Sequence, residues 1–257
     1  MLVLLPPSEA KADPPPGSPP VDLAALAHPQ LTSRRERLIG VLGKTSAGNQ
    51  SRALTALGLT TGQAGELERN VDLLTAPTAP AADVYTGVLY RQLDLASLGT
   101  AARARAAERL FVASALWGVV GLDDRIPAYR LSIGAKLPRI GGLARFWRPA
   151  LTKALSADGL LVDLRSQSYA AAWRPGEAAV VETRVFVETG GHRKVITHMA
   201  KATRGEIARV LAKSRDAAVG PEDVAARVER AGFKVELSAP SAAAKTWRLD
   251  VIRDNPY

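Results

Sequence analysis

Ser8-Glu9-Ala10-Lys11 places a carboxylate and an amine two residues apart, directly after the apolar run Leu2 to Leu5. Loops beyond strand ends are where sheet proteins commonly carry site residues. There Lys11 can hold a phosphate or, if its pKa is lowered, serve as an amine nucleophile, with Glu9 as a general base. An exposed ion pair would leave the same residues in the sequence. The glycine-rich cradle of a Walker A loop is missing. Further polar residues recur at the ends of apolar runs: Tyr85-Thr86-Gly87, Ser114 with Trp117, Asp124 with Tyr129, Ser166 with Tyr169, and Lys201 with Arg204. Gathered in one cleft, they offer Lys11, Glu9, Asp124 and Tyr129 as catalytic candidates, lined by Ser8, Tyr85, Thr86, Gly87, Ser114, Trp117, Ser166 and Tyr169. That set is richer than a nonspecific phosphate binder needs, so one expectation is an enzyme acting on a nucleotide, a DNA base or a small phosphorylated metabolite.

Charge supplies a second expectation. The window Arg125 to Ala157 contains Arg125, Arg130, Lys136, Arg139, Arg145, Arg148 and Lys153 and no acidic residue, within a chain of net charge +9. Such a stretch attracts phosphates, and double-stranded DNA is the expected partner, with a phosphorylated small molecule as the alternative. The expected anion contacts are Lys11, Arg125, Arg130, Arg145, Arg148, Lys201 and Arg204. Phe146 and Trp147, in the same window, are expected to face the core instead of stacking on bases. Lys201, Arg204 and Arg209 cannot share one helical face, so some of them should serve as structural partners.

Leu57-Gly58-Leu59-Thr60-Thr61 joins two helical patterns through an apolar-Gly-apolar turn. This is the pattern of a helix-hairpin-helix, spanning about 47–70, whose second helix would present backbone N–H groups to a DNA phosphate near Gly58 and Thr60. An ordinary glycine C-cap reads the same way. Three histidines are present and cysteine is absent, which removes disulfides and thiolate metal sites. His192 and His198 would share a face of one continuous strand, the weakest of the readings, and no metal or cofactor is expected.

The elements that must position these residues follow from apolar periodicity. Leu2 to Leu5, Leu110 to Leu116 and Leu160 to Leu164 read as buried strands, and Ala178–Glu188 with Arg193–Met199 as a hairpin closed by Gly190-Gly191. Helices are expected at about Gln30–Val41, Ala47–Leu57, Thr60–Asn70, Thr86–Tyr90, Thr100–Ala107, Gly142–Ser156, Ala200–Arg215 and Pro221–Ala231. Short strands at Val235–Leu237 and Trp247–Ile252 end the pattern. The mixture predicts an α+β fold, one domain over 1–257 with a mixed sheet surrounded by helices and a basic cleft; the extension 216–257 is the least constrained part. No signal peptide and no membrane span is expected, and the location expected is the cytoplasm.

The ordered blocks resemble the YaaA family of peroxide-stress proteins from Met1 to about Leu211. The resemblance is carried by the strand-PPSEAK opening, Val84-Tyr85-Thr86-Gly87, Leu116-Trp117-Gly118, Asp124, Ile126-Pro127-Ala128-Tyr129-Arg130-Leu131, Phe146-Trp147, Leu164-Arg165-Ser166 with Tyr169, and Lys201 with Arg204-Gly205. It implies a cytosolic protein induced by hydrogen peroxide that limits free iron and DNA damage. It also implies a fold with a positive cleft and a helix-hairpin-helix that binds double-stranded DNA with little sequence preference. One departure stands out: many members have Arg-Pro before the Asp of the central block, where this chain has Gly121-Leu122. An iron site would need carboxylates, which the basic window lacks, so any effect on iron is expected to be indirect.

Overall fold

The first apolar run lies at the middle of the main sheet. In the computed structural model, which describes residues 1–155, 159–176, 179–190, 192–195, 197–242 and 245–253, that sheet has eight strands. They are β1 (Leu2–Leu5), β2 (Leu110–Ser114), β3 (Gly118–Gly121), β4 (Leu160–Asp163), β5 (Ala179–Thr189), β6 (His192–Lys194), β7 (Lys234–Ser238) and β8 (Trp247–Arg253). Their order is β7-β8-β5-β4-β1-β2-β3, with β6 paired to β5. The run β8-β5-β4-β1-β2 is parallel, while β3, β6 and β7 add antiparallel partners. Strands buried on both faces of a parallel sheet read as continuous apolar runs, which is why Leu2–Leu5 and Leu160–Leu161-Val162 carry so little alternation.

Helices surround this sheet: α1 (Thr32–Ser46), α2 (Gln50–Leu57), α3 (Ala81–Val84), α4 (Val88–Leu93), α5 (Thr100–Arg109), α6 (Leu143–Ala154), α7 (Gln167–Ala170), α8 (Thr197–Lys213) and α9 (Pro221–Arg230). Mixed sheet and surrounding helices agree with the sequence. The predominance of parallel pairing was not legible there, because β1 finds its neighbours more than a hundred residues away.

Three expectations are corrected. The second arm of the hairpin is short, because α8 begins at Thr197 and takes the segment assigned above to a strand ending at Met199. The segment Thr61–Asn70 is a 3-10 helix with non-helical backbone at Gln63, not a regular α-helix. The short helix expected from Thr86 starts two residues later, at Val88, because Gly87 adopts φ 104° and cannot belong to it. The expectations at Ser156, Ala157, Ala178 and Gly191 fall outside the described residues.

Trp117, Trp147 and Trp173 are among the largest fully buried side chains. The Trp147 indole N–H donates to the Ala115 carbonyl at 2.8 Å, which satisfies its one polar atom. Phe146 is buried as well, as the sequence predicted. A fully buried arginine, Arg35, sits in the apolar stripe of α1 with Leu38, Ile39 and Leu42. It donates to the carbonyls of Trp117 (3.1 Å), Ala27 (2.7 Å) and Val119 (3.0 Å), tying the loop before α1 to β3.

Candidate functional site

Four of the polar groups named from the sequence meet beyond the carboxyl ends of β1 and β2. Lys11 follows β1 and forms an isolated bridge with Tyr85, which ends α3. Its Nζ donates to the carbonyls of Ser8 (2.9 Å) and Glu9 (3.4 Å). The same nitrogen lies 4.1 Å from the centroid of the Tyr129 ring and 5.6 Å from that of Tyr85. Burial is the largest influence on this amine and lowers its pKa to about 8, with Glu9 and Glu66 opposing the shift and Arg130 and Arg69 reinforcing it.

Behind Lys11 runs a chain of hydroxyls. Ser114, the last residue of β2, accepts the amides of Leu116 (3.2 Å) and Trp117 (3.0 Å). Its own hydrogen is therefore directed to the Tyr129 oxygen at 2.7 Å, and Tyr129 in turn donates to the Tyr85 oxygen at 2.9 Å. Both phenols are buried, which holds them protonated: Tyr85 is pushed up to about 12 and Tyr129 well above its ordinary value. Trp117 packs edge-on against Tyr129, with ring centroids 6.0 Å apart. Ser8 Oγ accepts the Thr86 amide at 3.1 Å, and Gly87 gives the turn that sends the chain into α4.

The mouth of this group is charged. Glu9 forms an ion pair with Arg130 at 3.3 Å. The Arg130 backbone is clamped by Asn70, whose amide group donates to its carbonyl (2.9 Å) and accepts its N–H (2.8 Å). Asn70 is fully buried and escaped the sequence reading, because an asparagine at a helix end looks like a cap. Arg69 donates to the Lys11 carbonyl and pairs with Asp13 and Glu66.

The remaining candidates lie apart from the amine. Both oxygens of Asp124 accept the Ala27 amide, and one also accepts that of Gly121 at 2.9 Å; this carboxylate anchors the loop before α1. Arg125 is taken up by Thr78, to whose carbonyl it donates at 2.6 Å. Arg148 donates to the Ala171 carbonyl at 3.0 Å. Arg204 is half-buried with Nε unpartnered among the described residues, near Asp163. Asp163 itself forms a buried pair with Arg165 at 2.7 Å. Tyr169 and Arg165 line a small cavity with Ser114. Ser166 precedes α7 without a side-chain bond to the helix backbone, and its hydroxyl shares a hydrogen bond with that of Ser168. Lys201 is exposed. Arg209 binds the carbonyls of Leu93 and Asp94, the structural use expected for one member of that cluster.

Gly58 ends α2 in the left-handed conformation at φ 67°, and Leu59 donates back to the Leu54 carbonyl. Beyond it the Thr60 amide is bonded to Gln63 Oε1 at 3.1 Å, so this turn is capped from within. The His192 ring is exposed, and the His198 side chain is outside the described residues.

A second cluster was largely missed. Arg34 and Arg37 of α1 both stand over the Phe146 ring, at 4.9 and 5.8 Å from its centroid. Arg34 also donates to the Phe146 carbonyl, and Arg37 donates to that of Arg139 at 3.2 Å. Arg139 is exposed in the turn between the two-residue strands Lys136–Leu137 and Gly141–Gly142, and Arg145 precedes Phe146 on α6. Among the described residues none of these arginines has a carboxylate partner. Arg34 and Arg37 lie far from the basic window in sequence; their signal was a pair of cations on the polar side of an amphipathic helix, a common pattern without diagnostic force.

Comparison with known proteins bears on the whole chain. A UPF0246 protein of Streptomyces coelicolor is 46% identical over 256 residues, 98% of each chain. A UPF0246 protein of Corynebacterium glutamicum is 40% identical over 241 residues, covering 92% of this chain and 95% of its own. No described helix is long and apolar enough to cross a membrane. The family model for peroxide stress protein YaaA matches residues 1–238, so the chain belongs to the YaaA family and to the response to oxidative stress.

Proposed function

We propose that this protein acts in peroxide stress by binding double-stranded DNA through its phosphates, with little sequence preference. The observation that carries the reading is the placing of Arg34 and Arg37 over Phe146, with Arg37 also bonded to the Arg139 carbonyl and neither guanidinium paired with a carboxylate among the described residues. Like charges held together at a surface are stabilised by an anionic partner, and a polyphosphate supplies several at once. Arg145 and Lys136 extend the same face, and both are exposed. Phosphate contacts fix position but carry no sequence information, which accounts for the expected lack of base preference. The buried Phe146 and Trp147 support this limit, since neither ring is free to stack on a base. On this reading the protein restrains iron-driven damage at the DNA, not by holding the metal.

Mobility shift of a duplex across a salt series tests the reading. Affinity should fall steeply as salt rises, and the double substitution Arg34→Glu, Arg37→Glu should reduce the log–log slope by about 2, near 0.9 per lost phosphate contact. Affinity unchanged between low and moderate salt would overturn it.

A further inference from the structure

The Lys11 group has chemistry that phosphate binding does not use. A neutral amine has two hydrogens and one lone pair, and the carbonyls of Ser8 and Glu9 take the two hydrogens. The lone pair has no hydrogen donor among the described residues, with the Tyr129 ring centroid 4.1 Å from the nitrogen. The hydroxyl chain has a direction as well: Ser114 donates to Tyr129 and Tyr129 to Tyr85, so the Tyr85 hydrogen remains, with no acceptor among the described residues. A nucleophilic nitrogen and an uncommitted phenolic donor thus share one buried corner. Beside it Glu9, half exposed, pairs with Arg130.

We propose that Lys11 condenses with an aldehyde, with the Tyr85 hydroxyl donating to the carbonyl oxygen, and that the substrate is the open-chain aldehyde of a phosphate-bearing deoxyribose, free or in a DNA strand that has lost a base. The anionic carrier rests on the polyanion reading above, whereas the amine chemistry does not. The nitrogen lone pair attacks the aldehyde carbon, and the carbonyl pair moves to oxygen, which takes the Tyr85 proton. Tyr85 is reprotonated from the nitrogen. Loss of the second amine hydrogen with the hydroxyl gives a C=N bond and one water. Both hydrogens of the water come from the amine and its oxygen from the aldehyde, so oxidation state is unchanged and no co-reactant is needed. The charged groups facing the amine are Glu9, Glu66, Arg69 and Arg130, and burial outweighs each of them in setting its protonation.

Reductive trapping tests this on the full chain. The protein is incubated with deoxyribose 5-phosphate, or with a duplex carrying one abasic site, then reduced with cyanoborohydride and mapped by mass spectrometry. The adduct should fall on Lys11, and Lys11→Arg, which keeps the charge, should reduce total adduct at least tenfold. Trapping should rise with pH and level off near pH 8. Tyr85→Phe should slow it by about a hundredfold or more, the size expected for one positioned proton donor, when compared well below the melting midpoint, which loss of the acceptor for the Tyr129 hydroxyl lowers. Adducts spread over surface lysines and unaffected by Lys11→Arg would overturn the proposal. Trapping at Lys11 by both probes supports it with DNA as the source, and trapping by the sugar phosphate alone supports it with the free sugar. A duplex that shifts in the gel while neither probe reaches Lys11 overturns the amine chemistry and leaves DNA binding intact. Trapping with no gel shift at any salt does the reverse.

Discussion

Lys11 carries a measurable cost of burial. Its pKa falls from 10.5 to about 8 on folding, so between those values the unfolded chain binds more protons than the folded one. Stability must then rise with pH across that window, and the penalty, on the order of 3 kcal/mol, is fully present below pH 8. The buried tyrosines act oppositely above about pH 10, because burial raises their pKa values and folding then opposes their ionisation. Urea titrations from pH 7.5 to 9.5 should show rising stability, and Lys11→Met should flatten the rise; an unchanged slope in the variant would sink this account. The Asp163–Arg165 pair makes a second residue-scale case. Arg165 donates three hydrogen bonds to the buried Asp163 carboxylate, from Nε at 2.8 Å, from Nη2 at 2.7 Å and from its own backbone N–H at 3.0 Å. Arg165→Met leaves that carboxylate buried and unpaired, so chemical denaturation should show a loss of about 3–5 kcal/mol. The double variant Asp163→Asn, Arg165→Met leaves no buried charge behind and should cost less than Arg165→Met alone.

At the scale of elements, α4 and α8 depend on a missing side chain. A Cβ on Gly205 would overlap the Leu89 carbonyl oxygen and lie 2.9 Å from Gln92 Cβ. Backbone oxygen cannot rotate away as a side chain can, so Gly205→Ala must push the helices apart. We expect at least about 1–3 kcal/mol of destabilisation, read as a lower thermal midpoint. Gly40→Ala on α1, where a Cβ meets nothing, is the control and should be neutral or slightly stabilising. Gly205 was noted in the sequence only as part of a motif; the close approach it permits is a tertiary fact. The same division runs through the molecule. Helices α1, α5 and α9 were legible from their apolar period, and Leu2–Leu5 from its length and Pro6-Pro7 behind it. β3 was missed because Gly118 and Gly121 bracket only Val119-Val120, too short a run for alternation to register. Lys11, Tyr85, Ser114 and Tyr129 could be named from residue type and position. Their meeting could not, since it depends on β1 pairing with β2 across a hundred intervening residues. The place of Asp124 was hidden for a related reason: nothing in the sequence shows that its oxygens accept the amides of Ala27 and Gly121, apart from the Lys11 group.

For the whole molecule, charge and sheet order divide the chain in different places. Toward the carboxyl end, cations are answered by acids: Arg193 with Glu188 and Glu236, Arg184 with Asp250, Arg253 with Glu206. Arg34 and Arg37 of α1 and Arg145 of α6 have no such partner among the described residues. The sheet shows no such split. β8 lies beyond the residues matched by the family model, yet it sits between β5 and β7 and pairs with both. β7 has no other strand partner among the described residues. A chain ending at residue 238 would therefore keep β7 without its neighbour and open the parallel edge of β5. It would also lose Leu249, Val251 and Ile252, all essentially buried. At about 1.5–3 kcal/mol for each buried side chain, their removal costs about 5–9 kcal/mol, comparable with the whole stability of an ordinary domain. The truncated protein should aggregate or melt without a cooperative transition in a circular dichroism scan, although residues 1–238 hold every group of the Lys11 site. A sharp transition near that of the intact chain would mean that β5 can close the sheet alone and that β8 is dispensable to the fold.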